Sequence, residues 1–257
     1  MEWDPLAGRL DTNSLEGIEA AVHLAGESIA ERWYSEKKAR IRESRVQSTR
    51  LLSEALASLK QRPAVLVCAS AIGYYGDRGE LALPEDGGPG QGFLSEVCQE
   101  WEAATQPAAQ AGIRVVSLRI GIVLSAAGGA LKQMLLPFRL GLGGKLGSGK
   151  QYMSWIALDD LVGAIRHILL TPTLQGPVNG VAPHPVTNLE FTRTLGKVLS
   201  RPTVMPVPAF VVRLTFGEMG EQLLLASTRV VPQQLIASGY TFRYPDLEGA
   251  LQHALEE

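Results

Sequence analysis

The feature that most constrains this chain is a long amphipathic stretch between two short apolar runs. The runs cover residues 20–25 and 64–70, and each has the length and composition of a strand buried in a sheet. Between them, residues 35–59 place apolar side chains near helical spacing, with basic residues in between, which predicts an amphipathic helix. A strand, a long helix and a second strand predict a βαβ unit and therefore a parallel sheet.

The same alternation continues beyond this unit. Residues 93–111 are predicted to be helical, and residues 114–124 form another apolar run that predicts a buried strand. A strand-like segment, residues 152–158, leads into a helix that opens with Asp159 and Asp160. Carboxylates suit an N-cap or first-turn position, where they accept backbone N–H bonds and favour the positive helix end.

The last quarter of the chain has a different pattern, in which proline-rich connectors separate short helices. These helices are predicted over residues 188–199, 209–216 and 246–255. The sequence therefore predicts an α/β fold with a doubly wound parallel sheet in residues 1–178. Residues 179–257 are predicted to form a small, mostly helical C-terminal domain.

Composition and cysteine spacing argue against several classes of function. The formal net charge of −2 gives no polyanion-binding surface, so no nucleic-acid partner is expected. Cys68 and Cys98 have neither metal-ligand nor disulfide spacing, which favours a reducing compartment and predicts no metal site. No apolar run approaches the roughly twenty residues that span a bilayer, so we expect a cytoplasmic protein with no membrane partner.

Two motif-like strings are better explained as structure. Residues 144–150 (GKLGSGK) have P-loop spacing, but Gln151 stands where a Ser or Thr must bind magnesium, and no strand-to-helix context surrounds the string. We interpret it as a flexible loop. Tyr34 and Lys38 match a Tyr-x-x-x-Lys pair, yet they precede the strand that such a pair should follow, so a solvated first helical turn is favoured.

A third string, ASAIGYYG at residues 69–76, is more informative. Ser70 ends a predicted strand, and Tyr74 and Tyr75 follow it in a glycine-containing turn. Ligands of open α/β sheets collect at the carboxyl ends of the strands, where this string is expected to lie. Taken alone, a serine at a strand end is more often a turn former than a catalyst, so both interpretations stay open.

Several strings occur together in the order found in one protein family. They are HLAGE, ESRVQSTRLL, ASAIGYYG, the pair Glu85 and Asp86 before GFLSEV, LRIGIVL, LLPFRLGLGG, GSGKQYMSWIALDDL and NGVAPHPVTNLEF. With them the chain resembles the atypical extended short-chain dehydrogenase/reductases, specifically a nucleoside-diphosphate-sugar epimerase-like subgroup of the NAD-dependent epimerase/dehydratase family. That subgroup ends in a domain of unknown function. The resemblance implies a Rossmann-like fold and an NAD(P) cofactor.

The resemblance also implies cofactor contacts at the first strand of the βαβ unit. Leu24, Ala25 and Gly26 match positions that line the ribose and diphosphate region. Arg45 matches a helix position that approaches the cofactor and favours NADP over NAD. A solvated cationic helix face is an equally good account of Arg45.

Further matches lie at the next two strands. Ser70 matches the Ser or Thr beside the nicotinamide, and Arg119, Gly121 and Val123 match the strand and turn that back that ring. Asp160 matches an acidic position of the family, although helix capping is the favoured interpretation for it.

One departure from the family concerns the proton donor. The helix after the active strand should carry a Tyr and, four residues later, a Lys. This chain has Phe93 with Val97 or, in the neighbouring register, Leu94 with Cys98, and neither pair can donate a proton to a carbonyl.

Another acid must therefore serve if the protein transfers a hydride. Tyr74 and Tyr75 are the nearest candidates beside Ser70. Packing is the favoured role for Tyr75, which leaves Ser70 and Tyr74 as the predicted catalytic residues.

A second departure concerns the beginning of the chain. Residues 1–5 resemble the end of the family's third strand, and roughly fifty residues with the glycine fingerprint would normally precede them. We therefore expect a Rossmann-like sheet truncated at its N-terminus. Cofactor binding should then be weak or absent, and residues 20–25 should form an unpaired apolar edge.

Three functions remain open at this point. The first is an NAD(P)-dependent oxidoreductase or epimerase-like enzyme, which acts on a small-molecule substrate that is either nucleotide-linked or not. The second is a nucleotide-binding module without catalysis, and the third is a truncated chain without cofactor affinity. A homodimer is compatible with all three.

Overall fold

The computed structural model describes residues 3–5 and 7–256 of the chain. The strands are β1 (Trp3–Asp4), β2 (Arg9–Leu10), β3 (Ala20–His23), β4 (Val65–Ala71), β5 (Ala82–Leu83), β6 (Arg114–Ile120), β7 (Ile122–Leu124), β8 (Tyr152–Met153), β9 (Trp155–Ala157), β10 (Gly176–Gly180), β11 (Val186–Thr187) and β12 (Arg229–Val230). The helices are α1 (Ser35–Ser58), α2 (Phe93–Ala103), α3 (Gln106–Gln110), α4 (Gly129–Arg139), α5 (Leu158–Leu170), α6 (Asn188–Val198), α7 (Ala209–Phe216), α8 (Gln233–Ala237) and α9 (Leu247–Glu256).

A parallel sheet with the strand order β10-β6-β4-β3 organises the fold. Its neighbouring strands are joined through helices, as the predicted βαβ unit requires. Both faces of the sheet are covered. Leu66 and Cys68 pack with α1 and Trp101 on one face, and Val65 and Val67 pack with Ile168 of α5 on the other. The Rossmann-like α/β fold expected from the sequence is confirmed.

The prediction that residues 20–25 form a buried strand is wrong. The strand ends at His23, and Val22 and Leu24 are exposed. Within the described residues β3 pairs with β4 alone, so it lies at the edge of the sheet, where little packs against its side chains. An apolar run alone does not distinguish an edge strand from a central one.

Two other predicted elements are each divided in the structure. Residues 93–111 form α2 and α3, with a break at Ala104 and Thr105. Residues 114–124 form β6 and β7, which part at Gly121. Here the chain leaves the main sheet, and β7 pairs instead with β9.

The predicted helices of the C-terminal region are confirmed to within one residue at each end by α6, α7 and α9. A short π-helix, Gly220–Leu225, follows α7. The expected domain division after residue 178 falls inside β10, which belongs to the main sheet.

Asp160 does not cap α5, which corrects the capping interpretation. Its buried carboxylate accepts hydrogen bonds from the backbone N–H groups of Arg243 (2.8 Å) and Tyr244 (2.9 Å) and from the Tyr240 hydroxyl (3.2 Å). The N-cap residue of α5 is Ala157, which provides no side-chain cap. Asp160 therefore fastens the C-terminal region to the first turn of α5.

The helices described above lie within residues 3–5 and 7–256. None of the helices there is both long enough and apolar enough to cross a bilayer.

Candidate functional site

Three polar side chains form a row across the carboxyl edge of the sheet. Ser70 of β4 is in register with Arg119 of β6, and Arg119 is in register with Asn179 of β10. Residues in register on neighbouring strands project from the same face, so the three side chains meet on the face covered by α2. All three are buried.

Glu102 of α2 joins the first two members of this row. The Ser70 hydroxyl donates to Glu102 Oε1 over 2.7 Å. Arg119 donates to the same carboxylate twice, from Nε to Oε1 at 2.8 Å and from Nη2 to Oε2 at 2.9 Å. This bidentate ion pair is geometrically favourable, and its guanidinium is only 3% exposed.

The Arg119 guanidinium also contacts both tyrosines of the turn after β4. Its Cζ lies 3.5 Å from the centre of the Tyr74 ring, and its Nη1 donates to the Tyr75 hydroxyl over 3.0 Å. Although burial lowers the pKa of Arg119, the two bonds to Glu102 raise it above the ordinary value. The cation is therefore held firmly charged beneath Tyr74.

Tyr75 has the packing role that the sequence favours for it. It is fully buried, its hydroxyl donates to Asn179 Oδ1 over 2.8 Å, and burial raises the pKa of its phenol. Tyr74 is half-buried instead. Of the two phenols, Tyr74 is the one that a ligand at this edge can reach.

Glu85 extends the polar network behind Asn179. Its Oε1 accepts from the backbone N–H groups of Asn179 and Gln234, both over 3.1 Å. Burial raises the pKa of this carboxyl above its ordinary value, while those hydrogen bonds oppose the shift. Glu85 therefore links the sheet to α8 from beneath the row.

The loop after β3 carries the predicted positions Leu24, Ala25 and Gly26, which are all exposed. Its next residue, Glu27, is anchored at three points. Ser44 Oγ accepts from the Glu27 N–H (3.0 Å), and Arg45 Nη2 donates to the Glu27 carbonyl (3.0 Å). The third anchor is the carboxylate of Glu27, which pairs with Lys37 of α1 over 2.7 Å.

Arg45 is not part of a solvated helix face. Its guanidinium folds under the loop and packs over the Trp101 ring, with 5.1 Å between Cζ and the ring centre. A Cβ placed on Gly26 would lie 3.1 Å from that Cζ, so the guanidinium fills the space beneath the glycine. Burial lowers the pKa of this guanidinium.

The positions that carry Tyr and Lys in the family are apolar and inward-facing here. Leu94 and Cys98 are buried and pack against Gly73 of the turn after β4, and Phe93 and Val97 are buried as well. Burial raises the pKa of the Cys98 thiol to about 12. None of the four side chains can exchange a proton with a ligand.

Gly121 and Val123 lie outside the row of Ser70, Arg119 and Asn179. Gly121 separates β6 from β7, and Val123 lies in β7. Gly121 packs against the backbone of Ser154, since a Cβ there would lie 2.6 Å from the Ser154 carbonyl oxygen. Val123 belongs to β7 and packs with the core behind the sheet. The structure therefore brings Ser70, Tyr74 and Arg119 together and leaves these two beside them.

The two misleading strings have structural roles. Tyr34 is exposed at the N-cap position of α1, and Lys38 pairs with Glu218 of the C-terminal region over 2.9 Å. Residues 144–150 form a loop between α4 and β8, with no helix after it.

Other parts of the structure provide fewer groups that could bind or react with a ligand. A surface recess of about 780 Å³ lies at the opposite, amino edge of the sheet. It is lined by Arg114, whose guanidinium is already bound to carbonyl groups at the end of α5 and beyond, at Ile168, Leu169 and Leu174. Over the described ranges, no group of three or more His, Cys, Asp or Glu side chains is arranged to hold a metal ion.

The sequence analysis did not identify Glu102, Asn179 or Glu85 as residues of the site. Glu102 is one of three glutamates in α2, with Glu96 and Glu100, and helical spacing alone does not show which one faces the sheet. Asn179 does carry a signal, because it is a polar residue next to the end of β10, at the edge where ligands collect.

Two family models match the chain. The model of the NAD dependent epimerase/dehydratase family matches residues 9–179, and that of a domain of unknown function (DUF1731) matches residues 207–254. The first match contains Ser70, Glu102, Arg119 and Asn179.

Individual proteins are similar over nearly the whole chain. The epimerase family protein Mb2239 of Mycobacterium bovis is 43% identical over 99% of this chain and 84% of its own length. The crystal structure of human epimerase family protein SDR39U1 with NADPH has a TM-score of 0.90 at 37% identity, over 97% of this chain and 87% of that one. A nucleoside-diphosphate sugar epimerase from Corynebacterium glutamicum has a TM-score of 0.80 at 38% identity, over 99% of this chain and 49% of that one.

Proposed function

The chain belongs to the NAD dependent epimerase/dehydratase family, and on that basis we propose that it binds NADP(H) and transfers a hydride to or from a small-molecule substrate. The observation that carries this proposal is the row of Ser70, Arg119 and Asn179 at the carboxyl edge of the sheet. It lies at the same edge as the loop after β3, in which the exposed residues 24–26 precede the anchored Glu27. Ligands of open α/β sheets bind at this edge, and the human relative of similar structure was crystallised with NADPH.

The residues at this edge fit a dinucleotide. Leu24, Ala25 and Gly26 would line its ribose and diphosphate region, because they are exposed at the end of β3. Gly26 lets the loop lie directly on Arg45, where a Cβ would intrude. The guanidinium of Arg45 adds positive charge below this part of the site. When bound, the nicotinamide supplies or accepts the hydride.

Cofactor affinity tests this first step. Replacing Gly26 by Val should weaken NADPH binding at least tenfold, a loss of about 1.4 kcal/mol, because the branched side chain displaces the loop from Arg45. Fluorescence titration of NADPH and NADH with the wild type and the variant measures the effect. Gly249→Ala is the matched control, since a Cβ there meets open space on α9. Wild-type protein that binds neither cofactor would refute the proposal.

For the proton, we propose Tyr74 as the acid. During reduction of a carbonyl, its phenol would give a proton to the oxygen as the hydride reaches the carbon, and the Arg119 charge beneath the ring would stabilise the phenolate left behind. Ser70 is only 2% exposed and its hydroxyl donates a hydrogen bond to Glu102, so we assign it to holding this arrangement from below.

Turnover tests the assignment of Tyr74. Tyr74→Phe should lower the rate of NADPH oxidation by about 100-fold or more, as expected for loss of a general acid. The assay uses a panel of nucleotide-linked sugars and simple carbonyl compounds, because the relative from C. glutamicum is a nucleoside-diphosphate sugar epimerase. Tyr34→Phe is the control, since that phenol is exposed at the start of α1. An undiminished rate in the Tyr74 variant would remove it from the mechanism.

A second function, NADP(H) binding without catalysis, is favoured by one observation. Leu94 and Cys98 are buried and apolar where the family carries its Tyr and Lys. This alternative predicts that NADPH binds with Gly26-dependent affinity, while no compound of the panel is turned over.

A further inference from the structure

Seven of the sixteen large apolar side chains that are exposed in residues 3–5 and 7–256 lie in one region of the surface. They come from α4, α7 and the loops that follow α4 and precede α7. They are Leu136, Leu140, Leu142, Val204, Met205, Phe210 and Leu214. Val204 is 73% exposed, Phe210 67% and Leu214 74%.

Backbone hydrogen bonds hold the two loops side by side. The N–H of Met205 donates to the Gly143 carbonyl (3.3 Å), and the N–H of Val207 donates to the Lys145 carbonyl (2.9 Å). In the other direction, the N–H of Gly147 donates to the Val207 carbonyl over 2.8 Å. Residues 139–147 and 201–209 therefore form one ribbon, and α7 begins where this ribbon ends.

Charge is strongly segregated on this ribbon and its flanking helices. Residues 129–150 contain four basic residues and no acidic one, and the same is true of residues 191–217. The chain as a whole has a net charge of −2, so this separation does not reflect overall composition.

Part of this positive charge is not neutralised by neighbouring groups. Lys197 pairs with Glu248 and Arg213 pairs with Glu221, both from outside the two segments. The remaining cations near the apolar side chains form no ion pair within residues 3–5 and 7–256. These cations are Lys132, Arg139, Lys145 and Arg201. Together with the seven apolar side chains they define the basic apolar face.

An exposed apolar patch with a basic rim is complementary to a surface in which apolar chains lie beneath negatively charged groups. We propose that the basic apolar face docks on an anionic phospholipid bilayer. The leucines and Phe210 would enter the boundary between headgroups and acyl chains, and the cations would pair with lipid phosphates. This goes against the expectation from the sequence, which considered only segments that span a bilayer.

Two other occupants fit the face less well. A polyanion such as nucleic acid would satisfy the cations but would leave Phe210, Leu214 and Val204 in water. A second copy of the face would bury the apolar side chains but would bring cations against cations.

Sedimentation with lipid vesicles tests the proposal. Wild-type protein should pellet about tenfold more with vesicles of equal phosphatidylglycerol and phosphatidylcholine than with phosphatidylcholine alone, and high salt should reduce the difference. The double variant Phe210→Ser with Leu214→Ser should lose this binding. The matched control is Val162→Ser with Leu170→Ser, which alters two exposed apolar side chains on α5. Thermal unfolding confirms that both variants are folded.

Specific outcomes overturn the proposal. It fails if the protein does not pellet with the anionic vesicles, or if the α5 variant loses binding as strongly as the α7 variant. A change from dimer to monomer in the α7 variant would make the face a self-association surface. Equal binding of dispersed short-chain phosphatidylglycerol, without vesicles, would make it a small-molecule site.

Discussion

Replacing Glu102 by Ala should lower the free energy of unfolding by about 3–5 kcal/mol, because it leaves a buried guanidinium charge without its partner. Arg119 is 3% exposed, and it donates its two shortest hydrogen bonds, 2.8 and 2.9 Å, to this carboxylate. Ser70 loses its acceptor in the same variant. Urea denaturation, with the slope compared between variants, measures the loss.

A control on the same helix separates this effect from a general cost of altering α2. Glu100 is half exposed and lies 3.4 Å from Arg42, so Glu100→Ala should cost less than about 1 kcal/mol. Combining Glu102→Ala with Arg119→Met removes both charges and should restore much of the stability. A double variant no more stable than Glu102→Ala would contradict the ion-pair explanation.

Replacing Gly90 by Ala should cost about 3 kcal/mol, because the new Cβ would overlap the carbonyl group of Tyr75. The N–H of Gly90 also donates to the Tyr74 carbonyl over 2.9 Å, so the two backbones cannot simply move apart. Because the strain falls on the turn that carries both tyrosines, we expect a loss of near-ultraviolet circular dichroism as well as a lower melting temperature.

Gly88→Ala is the control in the same loop, since a Cβ at Gly88 meets no atom within 4 Å. It should leave both signals close to those of the wild type. Equal melting temperatures for the two alanine variants would show that the backbone around Gly90 shifts readily to make room for a Cβ. Its contact with Tyr75 would then not be tight.

Helical periodicity allowed much of the fold to be predicted. The spacing in residues 35–59 gives the limits of α1 to within one residue. Among its apolar side chains only Ile41, Ala55 and Leu56 are buried, and the middle of its inner face is polar. Periodicity did not show that β3 is exposed, although the family resemblance implied an unpaired edge at residues 20–25. Whether a strand is buried depends on what packs beside it, and a run of alanine, valine and leucine does not contain that information.

The site was predictable only in part for a similar reason. Ser70 and Arg119 are placed by strand ends, which the sequence shows. Glu102 is placed by the rotation of α2 about its axis, which depends on how the helix packs against β4. The sequence of α2 therefore does not distinguish a glutamate that faces the sheet from a solvated one, because the two differ only in their tertiary contacts.

The segment 227–231 lies between parts of the chain that come much earlier in the sequence. Ser227 bonds to Asp77 and Gly79, β12 pairs with β5, and the Ser154 hydroxyl donates to Thr228. These contacts join residues separated by roughly 75 or 150 positions.

On the ribosome, the loop that follows the two tyrosines therefore cannot reach its final conformation until residues 227–231 have emerged. Such distant contacts slow folding, because the entropy of closing a long loop is lost before the contacts compensate for it. They also make unfolding cooperative. Residues 9–179 and 207–254, which match the two family models, hold each other's loops, so neither region keeps its native loops once the other is lost.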